Sequence, residues 1–256
     1  MDMFFGIASP GILVFAFLIS FLAGVIKGVV GFALPTVLMS GLGSVVSAEV
    51  ALAGMILPTL VTNGWQALRQ GVGAALDTVR KFKAFLAAGF IVMMLSAQLV
   101  PLVPGAALLL GIGLLITLFV ALQLFGVQPR LPGHPGPKVQ AAIGGVTGFM
   151  GGVSGVWGPP TVAMLTALDT QKRDQIRIQG VIYGLGSLTL VAGHLTSGVL
   201  RAETLPLSMA LIPTALLGMA IGFAIQDRID QTAFRSATLV VLLIGGLNLI
   251  RRGMMG

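Results

Sequence analysis

Three apolar runs, residues 11–30, 105–124 and 205–225, carry one charged side chain between them, Lys27. Each approaches the roughly 20 residues that a helix needs to cross a bilayer core. A soluble globular domain devotes roughly 25% of its residues to charge; this chain of 256 residues devotes 9%, against 56% hydrophobic. Its mean hydropathy is +1.01. A single water-soluble domain is excluded, and the chain reads as an all-α polytopic membrane protein in contact with lipid. The net charge of +7 does not point to nucleic acid, because there is no concentrated basic patch and no aromatic stacking platform. Lys and Arg instead occupy short segments between apolar runs, where they orient a membrane protein. The absence of Cys removes disulfides and cysteine metal sites. Met1-Asp2-Met3-Phe4 opens a stretch with no Lys or Arg before Lys27. It therefore lacks the basic start of a signal peptide, and the first apolar segment reads as mature protein.

Charged and polar residues punctuate the chain into spans at 47–70, 83–100, 104–125, 138–168, 177–200, 205–225 and 232–250. A Pro/Gly-rich stretch, 128–137, reads as a linker at the midpoint. The division is thus a first transmembrane repeat over 1–127, the linker 128–137 and a second repeat over 138–256. At an offset of 125, Phe32 falls on Trp157, Pro35-Thr36-Val37 on Pro160-Thr161-Val162, Met39 on Met164 and Glu49 on Asp174. Each half opens with a Gly-rich segment too long for one crossing: residues 10–43, 34 residues, would extend ~51 Å as a helix. The breaks are expected among Gly24, Gly28, Gly31 and Pro35, and between Gly144 and Pro160. Each segment then forms two helical pieces, as a re-entrant hairpin or a pair of short spans. The total comes to about 8–10 membrane helices.

Charge counting favours inverted repeats. If each broken segment returns to its starting side, eleven basic residues (Arg69, Arg80, Lys81, Lys83, Arg130, Lys138, Lys172, Arg173, Arg177, Arg228 and Arg235) face the cytoplasm. Arg201, Arg251 and Arg252 lie outside. Single crossings give nine against five. The positive-inside rule prefers the first arrangement, with Arg251-Arg252 as its weak point.

A helix that restarts inside a membrane offers unpaired N–H groups and the positive end of its dipole. Two such restarts, at Gly31-Phe32-Ala33-Leu34-Pro35 and around Gly155, Trp157 and Gly158, would make an anion-binding centre. Glycines packing helix against helix are the competing reading. Lys27 would neutralise the anion; the alternative is that it snorkels to an interface. Asn63 and Gln66 on one span, and Tyr183 and Ser187 on another, are candidate cavity donors or interhelical hydrogen-bond partners. Arg69 marks a cytoplasmic end. Glu49 and Asp174 fall in first helical turns, where carboxylates favour the dipole. With His194 they are the candidates for proton coupling. Gly152-Val153-Ser154-Gly155 matches the GxSG of rhomboid intramembrane proteases, with His194 as a possible partner. Against this, Ser154 corresponds to Val29 in the first half. No HExxH, intramembrane carboxylate pair or P-loop occurs, so the expectation is a non-enzyme without metal or cofactor.

Gly24-Val25-Ile26-Lys27-Gly28-Val29-Val30-Gly31-Phe32-Ala33-Leu34-Pro35, followed in the second half by Gly148-Phe149-Met150-Gly151-Gly152-Val153-Ser154-Gly155-Val156-Trp157-Gly158-Pro159-Pro160, resembles the duplicated motif of the sulfite exporter TauE/SafE family, also called the toluene sulfonate uptake permeases. The resemblance extends over nearly the whole chain. It implies a secondary carrier of sulfite, sulfonates or related anions in a bacterial inner membrane, working by alternating access. Ala33 departs from the pattern, which has a further Gly there. Lys27 is not part of it, so its role does not carry over. An anion channel remains the other transport reading.

Overall fold

The computed structural model describes residues 9–97, 105–125, 135–154, 158–196 and 198–255, and among them the regular structure is entirely helical. In chain order the helices are α1 (Pro10–Val30), α2 (Leu34–Leu42), α3 (Ala48–Leu68), α4 (Val72–Lys81), α5 (Lys83–Ala97), α6 (Gly105–Leu124), α7 (Pro137–Ser154), α8 (Gly158–Ala167), α9 (Lys172–Thr196), α10 (Leu205–Arg228) and α11 (Gln231–Met255). Among the described residues α1, α10 and α11 are long and apolar enough to cross a membrane. The short α4, with Arg80 and Lys81 in its last turn, is an element that hydropathy did not single out. Most of the linker, residues 128–134, lies outside the described residues. Pro137 begins α7 rather than closing the linker; at a helix start its missing N–H is no loss.

The chain forms two compact units. One comprises Met1–Gly71 and Ile176–Asp230, the other Val72–Gln175 and Gln231–Gly256. Each therefore draws on both halves of the sequence.

In the first unit α1 is capped by Ser9, whose hydroxyl accepts from Gly11 N at 3.2 Å, with Pro10 in the opening turn. The helix runs unbroken for 21 residues, ~31 Å, through Gly24 and Gly28. Of the four positions expected to break it, Gly24 and Gly28 do not. These glycines lie against α10: a Cβ on Gly28 would sit 2.5 Å from Met219 O and 2.7 Å from Gly222 Cα, and Gly218 closes on Phe21 in the same way. Spacing of four on both helices lets the two backbones touch. The break falls instead at Gly31, left-handed at φ 86, and at Ala33, φ 77. A left-handed residue with a Cβ costs about 1–2 kcal/mol, and glycine relieves this at an entropic cost of roughly 0.5–1 kcal/mol. Ala33→Gly is therefore expected to raise the thermal midpoint in detergent by a small amount, the equivalent of up to about 1 kcal/mol. A lowered midpoint would show that Ala33 is not strained.

Past the break α2 folds back along α1, bringing Gly41 against Ile19. Its Leu34, Leu38 and Leu42, spaced four apart, bury against Ala16, Ala23 and Leu211. Next, α3 runs parallel to α10, with Leu57 beside Ser208 at one end and Arg69 beside Asp227 at the other. Pro58 inside α3 removes the N–H that would reach Gly54 O. Ser208 Oγ donates to that carbonyl at 3.4 Å and accepts from Leu57 N at 3.1 Å. Such repair is required where no water reaches the backbone.

In the second unit α5 and α7 cross at Gly89, Gly144 and Gly148. They run parallel, Gly144 lying beside Phe85 and Gly148 beside Ser96. Each unit thus holds a parallel helix pair that crosses at glycines, α1 with α10 in the first and α5 with α7 in the second. Helices α6 and α11 run antiparallel, with Gly113 near Gly246 and Ala106 near Gly253.

Candidate functional site

Lys27 is 1% exposed and lies in the last turn of α1. It does not snorkel. Its Nζ donates to Asn63 Oδ1 on α3. Asn63 Nδ2 in turn donates to Ser187 Oγ on α9 at 2.7 Å, and Ser187 Oγ donates to Tyr183 O at 2.6 Å. Asn63, Ser187 and Tyr183 are all buried. Four of the expected site residues thus form one chain of contacts across α1, α3 and α9. Among the described residues no carboxylate pairs with Lys27; Asp227, Asp77 and Glu203 meet Arg69, Arg80 and Arg201 instead. A buried ammonium with only a neutral amide for company is costly.

One turn further along α3, Gln66 Nε2 donates to Gly31 O at 2.9 Å and to Ile176 O at 2.7 Å. Its Oε1 is buried without a partner. Gln179 on α9, with its amide turned to donate, reaches Val30 O at 3.2 Å and Gly31 O at 3.0 Å. The two glutamines are fully buried. Gly31 admits them because it has no Cβ; one would collide with the Gln179 amide. Phe32 is buried in the turn that follows, and Ala33 supplies no side-chain cap to α2. Helix α9 approaches α3 antiparallel, Gly180 against Ala67 and Ser187 against Asn63.

Toward the end of α3 the Arg69 guanidinium donates to Gln226 Oε1 at 3.0 Å and Asp227 Oδ2 at 2.6 Å, and lies 4.0 Å above the Phe223 ring. Trp65 meets the same ring edge-on at 5.4 Å. Arg177 donates to Gln70 Oε1.

The other sequence candidates fall elsewhere. Gly155 and Trp157 lie outside the described residues, while Gly158 opens α8. Glu49 is the second residue of α3, and Asp174 stands in the first turn of α9. His194 stands in the last turn of α9, where a cation would suit the opposite end of the dipole. The side chain of Ser154 lies outside the described residues.

Gln179 went unnoticed in the sequence. Its signal was there, because Gln175, Gln179, Tyr183 and Ser187 recur every fourth residue and therefore share one face of α9.

A family model described as sulfite exporter TauE/SafE matches residues 16–249. The chain belongs to the sulfite exporter TauE/SafE family. As a member of a TauE/SafE transporter family with long apolar helices, it is a membrane transport protein. The transporter family lends no support to a rhomboid-like hydrolase. No curated protein and no solved structure matches the chain.

Proposed function

We propose that the protein is a multi-pass secondary transporter of a bacterial inner membrane that moves a small sulfur-containing anion, sulfite or a sulfonate, by alternating access. The observation that carries this reading is Lys27, buried, bonded to a neutral amide and, among the described residues, facing no carboxylate. A charge in that position calls for a negative partner, and a transported anion supplies one transiently. The uncapped first turn of α2 supports the same reading, since its free N–H groups favour anions. The sulfur class comes from the family. An inverted repeat is supported by the antiparallel course of the counterparts α3 with α9 and α6 with α11. Transporters built from such repeats place the site at broken helices. The protein has no catalytic role in this reading.

Flux of labelled sulfite and small sulfonates into proteoliposomes, with and without a pH gradient, tests it. Saturable uptake of at least one sulfur anion is expected, and a dependence on the gradient would make the proton the coupling ion. Absence of flux for every sulfur anion overturns the substrate assignment.

A further inference from the structure

The last carbonyls of α1 have no N–H of their own helix to accept from. Helix α2 begins its own ladder, with Val37 N donating to Ala33 O at 2.9 Å. These carbonyls are also the negative end of the α1 dipole. Lys27 lies one turn earlier, its carbonyl accepting from Gly31 N at 2.6 Å. An anion drawn to the ammonium therefore meets a negative helix end at close range. Two uncharged amides cover that end: Gln66 from α3 on Gly31 O, and Gln179 from α9 on Val30 O and Gly31 O. A Lys or Arg in their place would compete with Lys27 for the anion. A carboxylate would repel both the carbonyls and the anion. Amides donate without adding charge.

We infer that Gln179 is a positioning residue for the transported anion: with Gln66 it masks the carbonyl end of α1, so that Lys27 presents an uncancelled positive field at the break. The inference rests on the anion-transport reading above. Unmasked, the same helix end is the kind of group that coordinates cations in transporters with broken helices, so the mask sets the sign of charge the site accepts.

The test is Gln179→Glu. A protonated carboxyl keeps one O–H to donate to Gly31 O, whereas the ionised form has none and adds a negative charge beside the site. The mask is therefore kept at low pH and lost as pH rises through the carboxyl's titration. The other charged or titratable groups on the packed elements are Lys27 on α1, Glu49 on α3 with Arg69 just past its end, Lys172, Arg173, Asp174, Arg177, Tyr183 and His194 on α9, and Asp227 and Arg228 on α10, while α2 carries none. All are shared with the wild type, so the ratio of variant to wild-type KM for labelled sulfite at each pH removes sulfite's own protonation and leaves what the substitution adds, the lost donor together with the new carboxylate's effect on Lys27. That ratio should be about tenfold or more at about pH 9 and fall toward unity at about pH 5, tenfold corresponding to about 1.4 kcal/mol. Gln66→Glu, which alters the mask from α3, should show the same pH-graded loss and serves where Gln179→Glu does not fold. A ratio that stays flat with pH in a transporting protein overturns this inference alone. A wild type without sulfite flux at any pH overturns the transport reading and this inference with it.

Discussion

Replacing Lys27 by Met should abolish saturable sulfite flux and at the same time raise the melting temperature of the purified protein. The two effects have one cause. Taking an ammonium out of water costs several kcal/mol even after relaxation, and among the described residues only Asn63 Oδ1 stands against it. Methionine fills a similar volume with no charge. Asn63 then loses one bond, at about 1–3 kcal/mol, but keeps its bond to Ser187. The net change favours the folded state, as is common where a functional group is held under strain. Flux should fall by at least about 100-fold, the loss of an interaction worth roughly 3 kcal/mol or more. Thermal melting in detergent and proteoliposome flux read the two quantities on the same preparation. A variant that melts far below the wild type would make Lys27 a structural residue. Undiminished flux would remove it from the site.

The second large effect concerns the glycine crossing of α1 with α10. In Gly28→Val the new Cβ would have to enter space held by Met219 O and Gly222 Cα, 2.5 Å and 2.7 Å away. Both obstacles are backbone, so no rotamer change relieves them. Overpacking of this kind costs typically 1–3 kcal/mol and occasionally more; the upper end, about 3 kcal/mol or above, is expected here because two helices must separate. The folded yield, read as a monodisperse peak on size-exclusion chromatography, should collapse. Gly64→Ala is the matched control, since a Cβ there meets nothing within 4 Å. It should fold normally and gain a little helix stability, about 0.5–1 kcal/mol. If Gly28→Val folds as well as Gly64→Ala, the close crossing is not what holds α1 to α10.

The sequence made these two roles of glycine hard to separate. Gly24 and Gly28 read as helix breakers, yet α1 passes straight through them and turns only at Gly31. In water a mid-helix glycine costs about 1 kcal/mol; against another backbone that penalty is offset by close packing, so composition alone misplaces the break. Pro35, which cannot continue a helix begun upstream, located the restart of α2 to within a residue. The polar residues were more legible. Asn63, Gln66, Tyr183 and Ser187 stand out in apolar runs, where an unpartnered polar group is too costly to be incidental, and the structure joins Asn63, Ser187 and Tyr183 to Lys27. Gln179 was hidden by its neighbours: Lys172 to Arg177 make the start of α9 look like a solvated helix end. Which backbone carbonyl it would cover depended on the fold-back of α2. That long-range pairing leaves no local trace in the residues concerned.

The central claim, a carrier that binds one sulfur anion and alternates its access, is tested most directly by exchange. Proteoliposomes holding the wild-type protein would be preloaded with unlabelled sulfite, and the initial uptake of labelled sulfite compared with that into empty vesicles. A carrier returns faster when loaded, so preloading should accelerate saturable uptake. Uptake that is unsaturable and indifferent to preloading would mean a channel and would contradict the account.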